Sequence, residues 1–96
     1  MQSVVVSIRI PHDSWNVCWL DVDVSRLIDF QTLPKIKKII RLVSADDKIR
    51  GRDNLCMFEQ CARTRLDELK QQNASLSKIR RIGKILEYIE EEKDDA

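Results

Sequence analysis

Between Val4 and Val24 the chain alternates apolar and polar residues twice, and this pattern limits what it can fold into more than any other. Val4, Val6, Ile8 and Ile10 are interleaved with Val5, Ser7 and Arg9. After Pro11-His12-Asp13-Ser14, Cys18, Leu20, Val22 and Val24 are interleaved with Val17, Trp19, Asp21 and Asp23. A period of two belongs to a strand with one buried face, and the Pro-His-Asp-Ser run supplies turn formers between two such strands. The pattern therefore predicts an antiparallel β-hairpin over about 3–10 and 17–24.

Opposite residues of an antiparallel pair share a face, and a one-residue slip exchanges the faces. Pairing Ile10 with Cys18 sets Ile8 against Leu20, Val6 against Val22 and Val4 against Val24, with all eight on one side. Pairing Ile10 with Val17 would set Val6 against Asp21 and Val4 against Asp23, so it is rejected; a slip by two residues keeps the faces and stays open. The chosen register leaves Arg9 opposite Trp19 and Ser7 opposite Asp21 on the other face. Near the turn, Trp15, Val17 and Trp19 make that second face apolar. An isolated hairpin is marginal in water. Helices, further strands or a second copy of the chain must cover this one.

Helical spacing follows. Ser25 to Phe30 is ambiguous between a short strand and one helical turn, and the turn is preferred. Thr32 caps a helix with Pro34 in its first turn, and Leu33, Ile36, Ile39, Ile40 and Val43 set its apolar face over about 33–44. Ser44 to Asn54 is polar, contains Gly51 and reads as a loop. Asp53 then caps a helix over about 54–72, faced by Leu55, Phe58, Ala62, Leu66 and Leu69. Leu76, Ile79, Ile82, Leu86 and Ile89 mark another helix over about 76–91, capped by Ser75. Between these two the chain either turns near Asn73 into an antiparallel pair, or runs on as one helix from about 54 to 91 that needs a partner chain. The turn is preferred because it buries more apolar surface within one chain. The reading is an α+β fold, a hairpin packed on three helices, forming one small domain (1–96) with a frayed acidic end at 92–96.

With 96 residues, 43% hydrophobic and 34% charged, the composition suits one folded domain and not a disordered chain. No apolar run approaches the roughly 18 residues that span a bilayer, and no basic segment precedes the first apolar strand as in a signal peptide. Three cysteines are an odd number without a disulfide framework, which points to a reducing cytoplasm.

The net charge of +1 is unevenly spread, with +5 over 32–52, +4 over 76–86 and −5 over 87–96. Lys35, Lys38 and Arg41 form one basic stripe, and Arg80, Arg81 and Lys84 another. Such stripes can meet phosphates, although Lys and Arg also commonly fill solvated helix faces.

No set of residues supports catalysis. His12 lies in the turn beside Asp13 and Ser14, and sequence neighbours do not make a triad, whose members converge from separate elements. Cys18, Cys56 and Cys61 lack the paired spacing of a zinc site. Asp21 and Asp23 share a strand face, but an Asp-x-Asp pair is commonplace, and a third ligand such as Asp29 is not identifiable. No catalytic residue, metal or cofactor is expected. Val4 to Pro11 resembles the strand of the ribbon-helix-helix DNA-binding family, in which a helix follows the proline. Residues 17–24 depart from that family by reading as a second strand, so none of its DNA-reading residues is carried over.

The expected function is that of a small non-enzymatic regulatory or adaptor protein, an inhibitor or accessory factor that binds another protein. Trp and Arg are enriched at interface hot spots, so Arg9, Trp15, Val17 and Trp19 form the expected partner site. The alternative is a nucleic-acid-binding module using Lys35, Lys38, Arg41, Arg80, Arg81 and Lys84. A homodimer is expected if 54–91 is one helix.

Overall fold

The computed structural model describes residues 4–11, 17–45 and 48–94, with the backbone alone described at Ile10, Pro11, Val17, Cys18, Lys48 and Asp94. The order is β1 (Val5–Pro11), β2 (Val17–Asp23), α1 (Val24–Phe30), α2 (Leu33–Ser44), α3 (Lys48–Gln71) and α4 (Leu76–Asp94). The fold is α+β, an antiparallel hairpin followed by four helices where three were expected.

The strands pair in the expected register, Ile10 with Cys18, Ile8 with Leu20 and Val6 with Val22. β2 also occupies positions where the ribbon-helix-helix family has a helix, so that resemblance ends at Pro11. On the inner face Val6, Ile8 and Val22 are buried. Leu20 is not: it is 48% exposed, contrary to its place in the apolar pattern. The reason is tertiary. α2 packs beneath β1, while the helical neighbour of β2 is α1, which begins where β2 ends.

The additional helix, α1, starts when the Asp23 carboxylate accepts the Arg26 N–H at 3.3 Å, a cap two residues before the Ser25 start considered from sequence. It inserts Val24, Leu27 and Ile28 into the core. α2 spans the expected residues, with Thr32 at its N-cap position and Pro34 in its first turn. α3 begins at Lys48 and not near Asp53. Gly51 lies buried inside it, because one glycine weakens a helix by only about 1 kcal/mol and does not end it.

The chain turns at Asn73, so the single long helix is not formed. The Ala74 N–H reaches the Leu69 carbonyl at 2.9 Å and the Asn73 N–H reaches that of Lys70 at 3.2 Å, with Asn73 at φ 55°. This is a Schellman ending with asparagine in the left-handed position usually held by glycine. α4 then runs antiparallel to α3, and beyond the end expected at residue 91. Through residue 94 the acidic end is helical and not frayed, because Lys93 ion-pairs with Glu59 and Glu92 accepts the Ser44 hydroxyl at 2.9 Å. Lys37 lies 5.2 Å from the Tyr88 ring and Arg41 lies 3.7 Å from Glu92, so α2 and α4 run in the same direction.

Phe58, Ile36, Ile40, Ile82, Ile85 and Ile89 are at most 1% exposed and form the centre of the core between α2, α3 and α4. Each contributes about 1.5–3 kcal/mol through burial. Among the described residues no helix is long and apolar enough to cross a membrane.

Candidate functional site on the hairpin

The alternation that buries Val6, Ile8 and Val22 turns Val5, Ser7, Arg9, Trp19 and Asp21 to the opposite face, and among the described residues no helix layer covers it. Trp19 is 51% exposed and Val5 is 52% exposed. Arg9 lies directly opposite Trp19, as expected. Trp15 lies outside the described residues. Val17 pairs with Pro11 through its backbone, and its side chain is outside the described set.

Backbone parity determines where the polar groups of the hairpin point. The Val24 N–H donates to the Val4 carbonyl at 2.8 Å, which makes the even-numbered residues of β1 the hydrogen-bonded partners of β2. Odd-numbered residues are then non-hydrogen-bonded pairs, whose side chains approach more closely. Accordingly, the Ser7 hydroxyl donates to Asp21 at 2.7 Å. The backbone groups of odd residues point away from the partner strand, to the two free edges.

Those edges differ. On β1 the Asn54 side-chain amide donates to the Ser7 carbonyl at 3.2 Å, and Pro11 has no N–H to offer. On β2 no described group hydrogen-bonds the outward N–H and C=O of Trp19 and Asp21. The start of α3, which covers the β1 edge, also sends Arg50 across the outer face, where its guanidinium lies 4.7 Å from the Trp19 ring. Such a cation–π contact is worth about 0.5–1 kcal/mol at an exposed site. The sequence reading missed Leu20, Arg50 and Asn54. Arg50 and Asn54 were placed in a loop on account of Gly51. The only signal for them was their four-residue spacing on the helix that Gly51 obscured.

The basic stripes are divided by their partners. Lys35, Lys38 and Arg80 are exposed and have no ion pair among the described residues. Arg41 pairs with Glu92, and Lys84 lies 3.3 Å from Glu87. Arg81 is turned inward. Its Nε donates to the Ile28 carbonyl at 2.8 Å, and one terminal nitrogen reaches the carbonyls of Leu27 and Gln31. It caps the C-terminal end of α1, where unsatisfied carbonyls favour a cation, and is not offered to a ligand.

A cleft of about 460 Å³ lies between α1 and α3, lined by Val4, Ser25, Asp29, Met57, Cys61 and Arg65 among others. Its charged groups pair with one another. Arg65 is 3.0 Å from both Asp29 and Glu68, and the hydrogen bond to Asp29 is the main reason its pKa is raised. The Ser25 hydroxyl lies 3.5 Å from the Cys61 thiol. Asp21 and Asp23 serve the Ser7 hydroxyl and the α1 cap. Among the described residues no group of three His, Cys, Asp or Glu side chains could hold a metal ion. No protein-family model, curated protein or solved structure matches this chain.

Proposed function

We propose that this protein is a small non-enzymatic adaptor or regulator that binds another protein through the open side of its hairpin. The observation that carries this reading is the arrangement of β2, a strand edge without a partner among the described residues, flanked by a half-exposed Trp19 on one face and a half-exposed Leu20 on the other. Unpaired edges bind extended chains through backbone hydrogen bonds, and side chains on both faces supply selectivity. Arg50 lies over the Trp19 ring, which reduces part of the freedom that would be lost on binding. Arg9 beside it adds a cation at the rim. An odd number of cysteines, with Cys56 and Cys61 free, supports a cytoplasmic setting.

The test compares wild type with Trp19→Ala in affinity purification from the native cell, with nuclease treatment throughout. A partner bound by wild type should be weakened by about 2 kcal/mol, or roughly 30-fold in Kd, while far-UV circular dichroism is unchanged. Equal retention by a folded Trp19→Ala variant would remove the reading.

A further inference from the structure

We propose that β2 pairs antiparallel with β2 of a second copy of this chain, about a two-fold axis at Leu20, to give a four-stranded sheet. This rests on the reading of the β2 side as an interface: the second copy takes the strand edge itself, and a different partner is left the outer face at Trp19 and Arg9.

Backbone parity limits the registers. The groups pointing out of β2 belong to odd residues, so odd residues must face odd residues across a new strand pair. A one-residue slip would set outward groups against inward ones and exchange the faces. Three symmetric registers near the middle of the strand satisfy parity. An axis at Asp21 sets Asp21 directly against Asp21 of the second copy, and like charges so placed are destabilising. An axis at Trp19 leaves Asp23 outside the paired span and sets Leu20 against Cys18. An axis at Leu20, the midpoint of the seven-residue strand, pairs every residue from Val17 to Asp23.

The Leu20 register is also complementary in its side chains. Leu20 meets Leu20 of the second copy as a non-hydrogen-bonded pair, in which side chains approach most closely. On the inner face this makes a continuous apolar row, Ile8 and Leu20 of one copy followed by Leu20 and Ile8 of the other. It covers the leucine that α2 leaves bare. On the outer face Trp19 meets Asp21 of the second copy. Arg50 lies over Trp19, so the ring that Asp21 of the second copy meets carries a cation on its face, twice across the axis. Among the described residues β2 is the more open of the two edges: Asn54 takes the Ser7 carbonyl and Pro11 lacks an N–H on β1, whereas β2 contains none of the prolines or lysines that natural edges use to prevent pairing.

The test is sedimentation equilibrium of the intact protein and of Leu20→Lys, together with oxidation of Leu20→Cys in a background with Cys18, Cys56 and Cys61 replaced by serine. Wild type should sediment at twice the 11.3 kDa of the chain. Leu20→Lys should sediment as a monomer with unchanged circular dichroism, since its side chain is half in solvent within one copy. Leu20→Cys should cross-link to itself under mild oxidation, and Trp19→Cys in the same background should not. A monomeric wild type overturns the pairing, as does a dimer that Leu20→Lys leaves intact, or cross-linking through Trp19→Cys and not Leu20→Cys. The two readings fail separately. A monomer that still loses its partner on Trp19→Ala overturns self-pairing alone. A Leu20-paired dimer whose partners ignore Trp19→Ala overturns the adaptor reading alone.

Discussion

Arg81 reaches from α4 to the last turn of α1 and holds the carbonyls of Leu27, Ile28 and Gln31. The Gln31 N–H already reaches the Leu27 carbonyl at 3.1 Å, but the last carbonyls of a helix lack intrahelical donors, and a guanidinium presents several N–H groups in one plane to meet them. At seven residues α1 is too short to be stable alone, so its position depends on this clamp and on the Arg65–Asp29 pair. Hydrogen bonds from a charged donor are worth about 1.5–3 kcal/mol in total here, so Arg81→Ala should lose about that much in urea unfolding. Arg81→Lys keeps the charge without the fork and should recover less than half. A wild-type midpoint for Arg81→Ala would show that the clamp is incidental. In the sequence Arg81 looks like a solvated neighbour of Arg80. Nothing local distinguishes them, because its acceptors lie 50 to 54 residues away.

At the scale of elements, the turn between α3 and α4 decides the architecture. Asn73 at φ 55° occupies a conformation that most residues enter only at a cost of about 1–2 kcal/mol. Asn73→Gly should therefore stabilise the fold by about 0.5–1 kcal/mol, and Asn73→Val should destabilise it by about 1–2 kcal/mol, both read as shifts in thermal unfolding. If valine is neutral, the turn is not under this conformational control. A better helix former at position 73 should not convert the pair into one long helix. Separating α3 from α4 would expose Phe58, Ala62, Ile82, Ile85 and Ile89, and each large side chain there outweighs the whole local preference.

Across the whole molecule, the C-terminal end of α4 is fastened to both of its neighbours. Glu59 on α3 is only 8% exposed and takes ion pairs from Lys93 and from Arg63, the latter at 2.7 Å. The hydrogen bond from Lys93 is the main influence holding the Glu59 pKa below its ordinary value, against the opposite effect of burial. The same bond raises that of Lys93. A depressed carboxylate stabilises the fold fully above its unfolded pKa, and this is lost as pH falls through the lower folded value. A raised lysine stabilises it fully below its unfolded pKa, and this is lost as pH rises through the higher folded value. Stability should therefore be flat between the two ordinary values and fall outside them. Glu59→Gln should remove most of the acid-side fall and lower the plateau, as measured by unfolding across pH. An unchanged acid limb in Glu59→Gln would assign that limb to other carboxylates.

The sequence by itself determined which strand residues share a face and the apolar faces of α2, α3 and α4, and left the register open only to a two-residue slip. Alternation and helical spacing are local, and one misplaced aspartate is enough to reject a register. It also reduced the α3–α4 connection to two alternatives, a turn near Asn73 or one long helix. Arg9 opposite Trp19 followed directly from the register, so that part of the candidate site was legible. Tertiary structure alone decided the rest: the exposure of Leu20, the start of α3 at Lys48, Arg50 over Trp19, Asn54 on the β1 edge and the inward turn of Arg81. A pattern along the chain says which face of an element is apolar. It does not say which element reaches that face, and under β2 no described element reaches far enough to cover Leu20.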